Sequence, residues 1–489
     1  MFTRQTLGLY LGPLLCGVVL LLPLPAGLTD SGLCVAAVAI WMAIWWVTEA
    51  VPMAVTALLP IALFPLFGVM SSALVTSSYA NHLIYLFMGG FLIAVTMQRW
   101  GLHKRIALHI IRFVGFSPRR IILGFMLATA FLSMWISNTA TAMMMVTIGM
   151  ALISHISGLS AHEEYAASKT MSPFSTALML GIAYAASIGG VATLIGTPPN
   201  AILAGVVEKT YGISIGFADW MLFALPLSGL MLLLTWYYLT YVLYRQDMHE
   251  LPDGEQAIAE ELTRLGQMTN QESKVLIVFT CVAVAWILRS LIETGSLITD
   301  STIAMIGGIV LFIIPVDLKQ REFLLDWETA VKIPWDIVIL FGGGFALAEG
   351  FSSSGLTQWL AGQLIVLQGS NLVLMVVVIV SLVIFLTEVT SNTATVSLLL
   401  PVMGAFAVAV DIHPLVTMIT VAVAASFAFM LPVATPPNAI VFASRAVTIP
   451  QMAKAGFTLN LIGVLLITLF VIYVLPQVLD VHTALPSKP

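Results

Sequence analysis

The chain has 489 residues, 60% of them hydrophobic and 9% charged, with a mean hydropathy of +1.03. Soluble domains carry about 25% charged residues, so this composition excludes a soluble protein and indicates a polytopic membrane protein. The apolar runs are about twenty residues long and do not alternate, which excludes a transmembrane β-barrel. A net charge of −5 without a charged tail argues against nucleic-acid binding.

The first apolar run, Leu7–Leu28, has no small-x-small cleavage site and is read as a first transmembrane helix within residues 1–30. Leu33–Thr48 and Met53–Val69 flank a T-E-A-V-P turn, and a fourth run covers His82–Gln98. The basic segment Arg99–Arg120 predicts an amphipathic surface helix. Ile121–Ser154 is too long for one helix and carries S-N-T near its middle, so it reads as a re-entrant hairpin (residues 121–154). Such backbone is tolerated at membrane depth only when it is buried in protein or lines a cavity. A polar loop, His155–Ser172, leads to Phe174–Val207, a helix broken at Thr197-Pro198-Pro199-Asn200. Proline lacks the donor N–H and clashes with the preceding turn, so two in a row unwind a helix. Met221–Tyr244 completes a first half, residues 31–245.

The hydrophilic stretch Arg245–Lys274 is the natural joint, a cytoplasmic linker over 246–274. The second half, 275–476, repeats the plan. Val275–Leu291 and Ile303–Pro315 span, a charged loop covers Asp317–Lys332, and Asp336–Leu347 spans. A second hairpin covers Leu372–Val410, and a second broken helix, Leu415–Ala443, is interrupted at Thr435–Asn438. Leu459–Leu475 is the last span, before a tail at 477–489. The expectation is an all-α membrane protein with about eleven transmembrane helices in two repeats, each with a hairpin and a broken helix.

The duplication is explicit in the motifs. F-L-S-M-W-I-S-N-T-A-T-A at Phe131–Ala142 returns 254 residues later as F-L-T-E-V-T-S-N-T-A-T-V at Phe385–Val396. Each copy is followed by T-P-P-N-A-I, at Thr197–Ile202 and Thr435–Ile440. L-F-M-G-G-F at Leu86–Phe91 matches L-F-G-G-G-F at Leu340–Phe345 at the same offset of 254. With the N-terminus inside and eleven alternating crossings, 16 of the 19 Lys and Arg fall inside, and only Lys209, Arg289 and Lys488 fall outside. That places the N-terminus in the cytoplasm and the C-terminus outside. Five crossings separate matching elements, so the repeats are inverted, with the first hairpin entering from the cytoplasm and the second from outside.

Inverted repeats with broken helices point to a transporter site near the bilayer midplane. Ser, Thr and Asn side chains and unwound carbonyls suit a hard monovalent cation such as sodium, and the N-termini exposed at each break suit an anion. No Lys or Arg occurs in Ile121–Ser168, Phe174–Glu208 or Leu372–Ser444. An isolated charge at midplane costs at least ~2.5–3.5 kcal/mol, so bound sodium is the natural counter-charge for a dianion. Glu388 has Met134 as its counterpart and lies outside the symmetric site; it reads as a hydrogen-bonded structural carboxylate or a coupling group. Glu49 and Asp336 read as interfacial helix ends, and Trp45, Trp46 and Trp335 as interface anchors. Cys16, Cys34 and Cys281 are scattered, and no histidines pair at ligand spacing within an apolar run, which argues against a metal centre. G-x-S-x-G at Gly212–Gly216 lacks the strand–turn–helix context of a nucleophile elbow, and no nucleophile–base set appears, so an enzyme is not expected.

The paired S-N-T motifs, G-T-P-P-N and A-T-P-P-N, together with W-W-V-T-E-A-V-P at Trp45–Pro52, resemble the divalent anion/sodium symporter family, most closely its bacterial sodium–dicarboxylate symporters. The resemblance covers almost the whole chain. It implies a homodimer in the bacterial inner membrane whose transport domain moves elevator-fashion, coupling sodium to import of succinate, malate or fumarate, with no organic cofactor. Carried over by motif, it implies a first sodium site at Ser133, Ser137, Asn138 and Gly196, and a second at Thr387, Thr390, Asn392 and Ala434. Substrate carboxylates would meet Asn138, Thr139, Asn392, Thr393, Thr435 and Pro436, with Thr197 bearing on pocket size. The alternative is a sodium-independent antiporter of the same fold for citrate, tartrate or another di- or tricarboxylate; sulfate is a further candidate substrate.

Overall fold

The computed structural model describes residues 3–157, 172–245, 254–291, 298–365, 368–369 and 371–479. Most of these residues are helical, with almost no strand. The polar loop around His162 and the tail beyond residue 479 lie outside them.

Helix α1 (Arg4–Leu21) starts on a Thr3 cap, three residues before the apolar run Leu7–Leu28, and ends before Pro23, short of the end of that run. Its buried residues are Gly8, Gly12 and Cys16, which lie against α2 (Asp30–Thr48). The expected span Met53–Val69 is instead two short helices, α3 (Met53–Thr56) and α4 (Leu59–Leu66). Pro60 and Pro65 remove two backbone donors there, which limits each helix to a turn or two. After α5 (Ser72–Ser78), α6 (His82–Arg99) crosses and gives way at Gly101, in the left-handed region, to the amphipathic α7 (Leu102–Val114).

The first hairpin is α8 (Pro118–Ser133) and α9 (Asn138–Ser157), and the first broken helix is α10 (Pro173–Val191) and α11 (Pro198–Tyr211). Next come α12 (Phe217–Tyr237), the linker helix α13 (Gly254–Leu265), α14 (Asn270–Leu291) and α15 (Asp300–Ile313). The charged loop folds as an antiparallel pair, β1 (Pro315–Asp317) and β2 (Glu322–Phe323), then α16 (Trp327–Ala330). Helix α17 (Trp335–Ser353) is followed by α18 (Leu356–Leu364), which the sequence reading did not anticipate. It begins after Gly355, also left-handed, and occupies the place of α7 in the second half, but without the basic residues that marked α7. The second hairpin is α19 (Leu372–Thr387) and α20 (Asn392–Ala409), and the second broken helix is α21 (Pro414–Ala424) and α22 (Pro436–Ala443). Helices α23 (Ile449–Leu469) and α24 (Leu475–Val478), joined by a π turn, close the described chain.

The glycine pairs of the L-F-x-G-G-F motifs explain how the halves interlock. A Cβ on Gly89 of α6 would lie 2.5 Å from the Ala304 backbone on α15, and one on Gly343 of α17 would lie 2.5 Å from the Ala57 carbonyl beside α3. Each glycine-bearing helix therefore packs backbone-to-backbone against the other half, as small residues permit inside membranes. Trp46 is fully buried and donates to the Met53 carbonyl at 3.2 Å, so it is a core residue rather than an interface anchor. Ten helical segments among the described residues are long and apolar enough to cross a membrane, and the chain is a multi-pass membrane protein.

Candidate functional site

Both hairpin tips and both helix breaks meet at one cavity of about 560 Å³. Asn138, Thr139, Thr197, Asn392, Thr393, Thr435 and Pro436 all line it. Four helices begin there: α9 at Asn138, α11 at Pro198, α20 at Asn392 and α22 at Pro436. Their N-termini carry the positive end of the backbone dipole, each worth about 0.3–1 kcal/mol to a nearby anion and up to ~2 when partly buried. Among the described lining residues there is no Lys or Arg, and the ionisable ones are two carboxylates, Glu49 and Asp336. Both stand at helix ends, Glu49 at the end of α2 and Asp336 at the start of α17, and both also form part of the cavity wall.

Behind each tip a buried hydroxyl meets the side-chain amide of the tip asparagine and a backbone carbonyl. In the first half, Ser133 Oγ lies 2.5 Å from Asn138 Oδ1 and 2.7 Å from the Ala186 carbonyl. With its nitrogen turned toward this cluster, the Asn138 amide donates to the Gly196 and Ala186 carbonyls at 3.2 Å and to Ser133 Oγ at 2.5 Å. In the second half Thr387 Oγ1 stands in for Ser133, 2.7 Å from Asn392 Oδ1 and 3.1 Å from the Ala425 carbonyl. Ser137, Gly196 and Ala434 reach the cavity itself, whereas Ser133 and Thr387 are fully buried behind it. The Thr390 hydroxyl is occupied elsewhere, 2.9 Å from the Leu386 carbonyl and 2.8 Å from Thr395 Oγ1, so only its backbone is free to serve a site.

The two breaks are braced differently. In the first, Thr193 Oγ1 donates to the Met134 carbonyl at 2.5 Å and accepts from Gly196 N–H at 3.0 Å. In the second, Glu388 takes over. Its carboxylate accepts from the N–H groups of Phe429, Met430 and Leu431 at 2.8–3.1 Å and from Asn460 Nδ2 at 2.7 Å. With five donor contacts and 3% exposure, Glu388 is a structural carboxylate that caps the unwound strand. The sequence reading also passed over Thr193, Asn200 and Asn438.

One edge of the cavity adjoins a smaller one, about 270 Å³, lined by Thr3, Arg4, Gln5, Thr390 and the shared residues Glu49 and Val433. At the far end of α11, Lys209 Nζ lies 2.6 Å from Ser78 Oγ and 3.3 Å from Glu349, and Glu208 lies 3.4 Å from His82. The site is thus close to the N-terminal face and bridged by polar contacts on the opposite one.

Solved structures share this architecture. The YdaH transporter of Alcanivorax borkumensis superposes with a TM-score of 0.57 at 12% identity over 82% of this chain and 87% of that one. MtrF of Neisseria gonorrhoeae, described as an antimetabolite efflux pump, gives 0.55 at 12% identity over 81% and 82%. At that identity the likeness concerns the fold alone. In sequence, the sodium-dependent dicarboxylate transporter SdcS of Staphylococcus saprophyticus is 45% identical over 99% of this chain and 94% of its own length. SdcS of Staphylococcus aureus is 46% identical with the same coverage. The family model for the sodium:sulfate symporter transmembrane region matches residues 5–479. The chain therefore belongs to the sodium:sulfate symporter family, and is a transporter rather than an enzyme.

Proposed function

We propose that this protein is a sodium-coupled symporter that imports C4-dicarboxylates such as succinate, malate and fumarate. The observation that carries the reading is the pairing of four helix N-termini with a hydroxyl, amide and carbonyl cluster behind each hairpin tip, in a cavity with no Lys or Arg among its described lining residues. Magnitudes favour coupling. Even desolvated, four helix ends supply a few kcal/mol. The penalty for desolvating each charge of a dianion is itself several kcal/mol. A sodium ion about 4 Å from a carboxylate adds roughly 4 kcal/mol at an effective dielectric of 20. In this reading sodium held by Ser133, Ser137, Asn138 and Gly196, and by Thr387, Asn392, Ala434 and the Thr390 backbone, assembles the anion site, and empty clusters leave it without a counter-charge. Asn138, Thr139, Asn392, Thr393, Thr435 and Pro436 then hold the two carboxylates, and Thr197 limits substrate size. The staphylococcal relatives, which are sodium-dependent dicarboxylate transporters, support both ligands.

The two hairpins and broken helices move together as a transport domain, elevator-fashion, within a homodimer in the bacterial plasma membrane. The repeats are inverted, the N-terminus lies in the cytoplasm and the C-terminus outside, so the cavity beside Arg4 and Glu49 faces inward. The test is substrate counterflow in proteoliposomes with and without sodium. Succinate exchange that requires sodium supports symport, and equally fast exchange in its absence establishes the sodium-independent antiporter instead.

A further inference from the structure

The T-P-P-N motifs contain a residue that neither half-site uses. We propose that Asn200 and Asn438 are positioning residues that hold the unwound segments of the two broken helices in their cation-binding shape; the inference rests on sodium being the coupling ion. Each first arm stops short of the double proline, so the carbonyls around its end lose the helical N–H four residues on; Gly196 N–H reaches the Thr193 carbonyl at 3.4 Å and Ala434 N–H the Leu431 carbonyl at 3.2 Å. The asparagine amide supplies the remaining donors. Asn200 Nδ2 donates to the carbonyls of Gly190, Val191 and Thr193 at 3.3, 3.1 and 2.7 Å. Asn438 Nδ2, 238 residues later, donates to Ala428 and Leu431 at 3.2 and 3.1 Å, which are the equivalents of Gly190 and Thr193.

Two observations separate this role from ordinary packing. Both asparagines are fully buried, and the Oδ1 of each has no partner among the described residues. An unpaired buried acceptor carries a penalty that a leucine of similar shape would avoid, so the amide is present for its donors. The carbonyl that Asn200 holds also leads straight to the oxygen cluster. A Cβ on Gly190 would fall 2.4 Å from Asn138 Oδ1, and one on Gly196 would fall 2.4 Å from the Gly190 carbonyl. Releasing that carbonyl therefore lets Gly190 and Gly196 drift relative to Asn138, and the cation loses its geometry. Asn438 does the same for the second break, with Glu388 fixing the N–H side of that strand.

The experiment compares Asn200→Leu, Asn200→Ser, Asn438→Leu and Asn438→Ser in proteoliposomes, reading the sodium concentration for half-maximal succinate uptake and the maximal rate at saturating sodium. The leucine variants are expected to need at least about tenfold more sodium while recovering most of the maximal rate, which a general folding defect would not produce. Serine, which keeps one donor, is expected to fall between leucine and wild type. Leucine variants with wild-type sodium requirement overturn the proposal. So do leucine variants whose maximal rate falls with no change in sodium requirement, or serine variants no better than leucine. Wild-type uptake that ignores sodium would instead overturn the function on which the inference stands.

Discussion

Gly190→Ala isolates the geometry of the first half-site with a single methyl group. Gly190 lies in the last turn of α10, where alanine is the better helix former by about 1 kcal/mol, so local propensity favours the variant. The new Cβ would stand 2.4 Å from Asn138 Oδ1, 2.9 Å from Nδ2 and 3.0 Å from Cγ. Real Cβ contacts begin near 3.0–3.4 Å, so Asn138 or the break must move by about 0.6–1 Å. Asn138 has little room, because Ser133 Oγ is 2.5 Å from its Oδ1. A displacement of about 1 Å at a bound centre can lower activity about 10²-fold. Succinate uptake below sodium saturation is expected to fall by roughly that factor, with a raised sodium requirement and unchanged thermal stability. Gly17→Ala and Gly229→Ala, whose Cβ atoms meet nothing within 4 Å, serve as controls. The second half already carries Ala428 at the equivalent place, so Ala428→Gly is expected to be tolerated. A Gly190→Ala protein with wild-type sodium dependence would refute the reasoning.

Asn138→Ala and Asn392→Ala are each expected to abolish uptake while leaving a monodisperse, folded protein by size-exclusion chromatography; full activity in either disproves the paired half-sites. Glu388→Gln replaces an acceptor of five donor contacts with a group that itself donates toward backbone N–H. Thermal unfolding should show a loss of about 3 kcal/mol, as for other broken buried charge networks, and most of it should persist when Asn460 has already been replaced by leucine, because four of the five contacts come from backbone N–H groups. On the linker helix, the Lys104 ammonium, 2.8 Å away, holds the Glu261 carboxyl below its usual value of 4.5. The contribution of that pair to docking α13 on α7 is fully present above 4.5 and is lost as pH falls through the lowered value. Limited proteolysis of the linker should therefore accelerate only in acid, and Glu261→Gln should remove that pH dependence.

Much of this arrangement was legible in the sequence because membrane depth penalises irregular polar backbone. S-N-T and T-P-P-N interrupting apolar runs marked the hairpin tips and breaks, and their duplication brought seven separated residues to one cavity. What escaped was only faintly marked. The Met53–Leu66 region is as apolar as a spanning helix, and only the spacing of Pro60 and Pro65 hinted that it is two short ones. Helix α18 lacks the charge that exposed α7, although Gly355 repeats Gly101 at the offset of 254. Thr193 and Glu388 brace equivalent breaks with different chemistry from non-equivalent positions, so comparing the halves residue by residue hid their shared task. The cavity-wall carboxylates Glu49 and Asp336 depend on tertiary placement that helix ends alone do not encode.

The central claim is that sodium supplies the positive charge that the cavity lacks. Uptake of labelled succinate into proteoliposomes, driven in turn by inward gradients of sodium, lithium, potassium and protons, tests it most directly. Concentrative uptake is expected with the sodium gradient and none with potassium or protons. Concentrative uptake of the same size without sodium would contradict it.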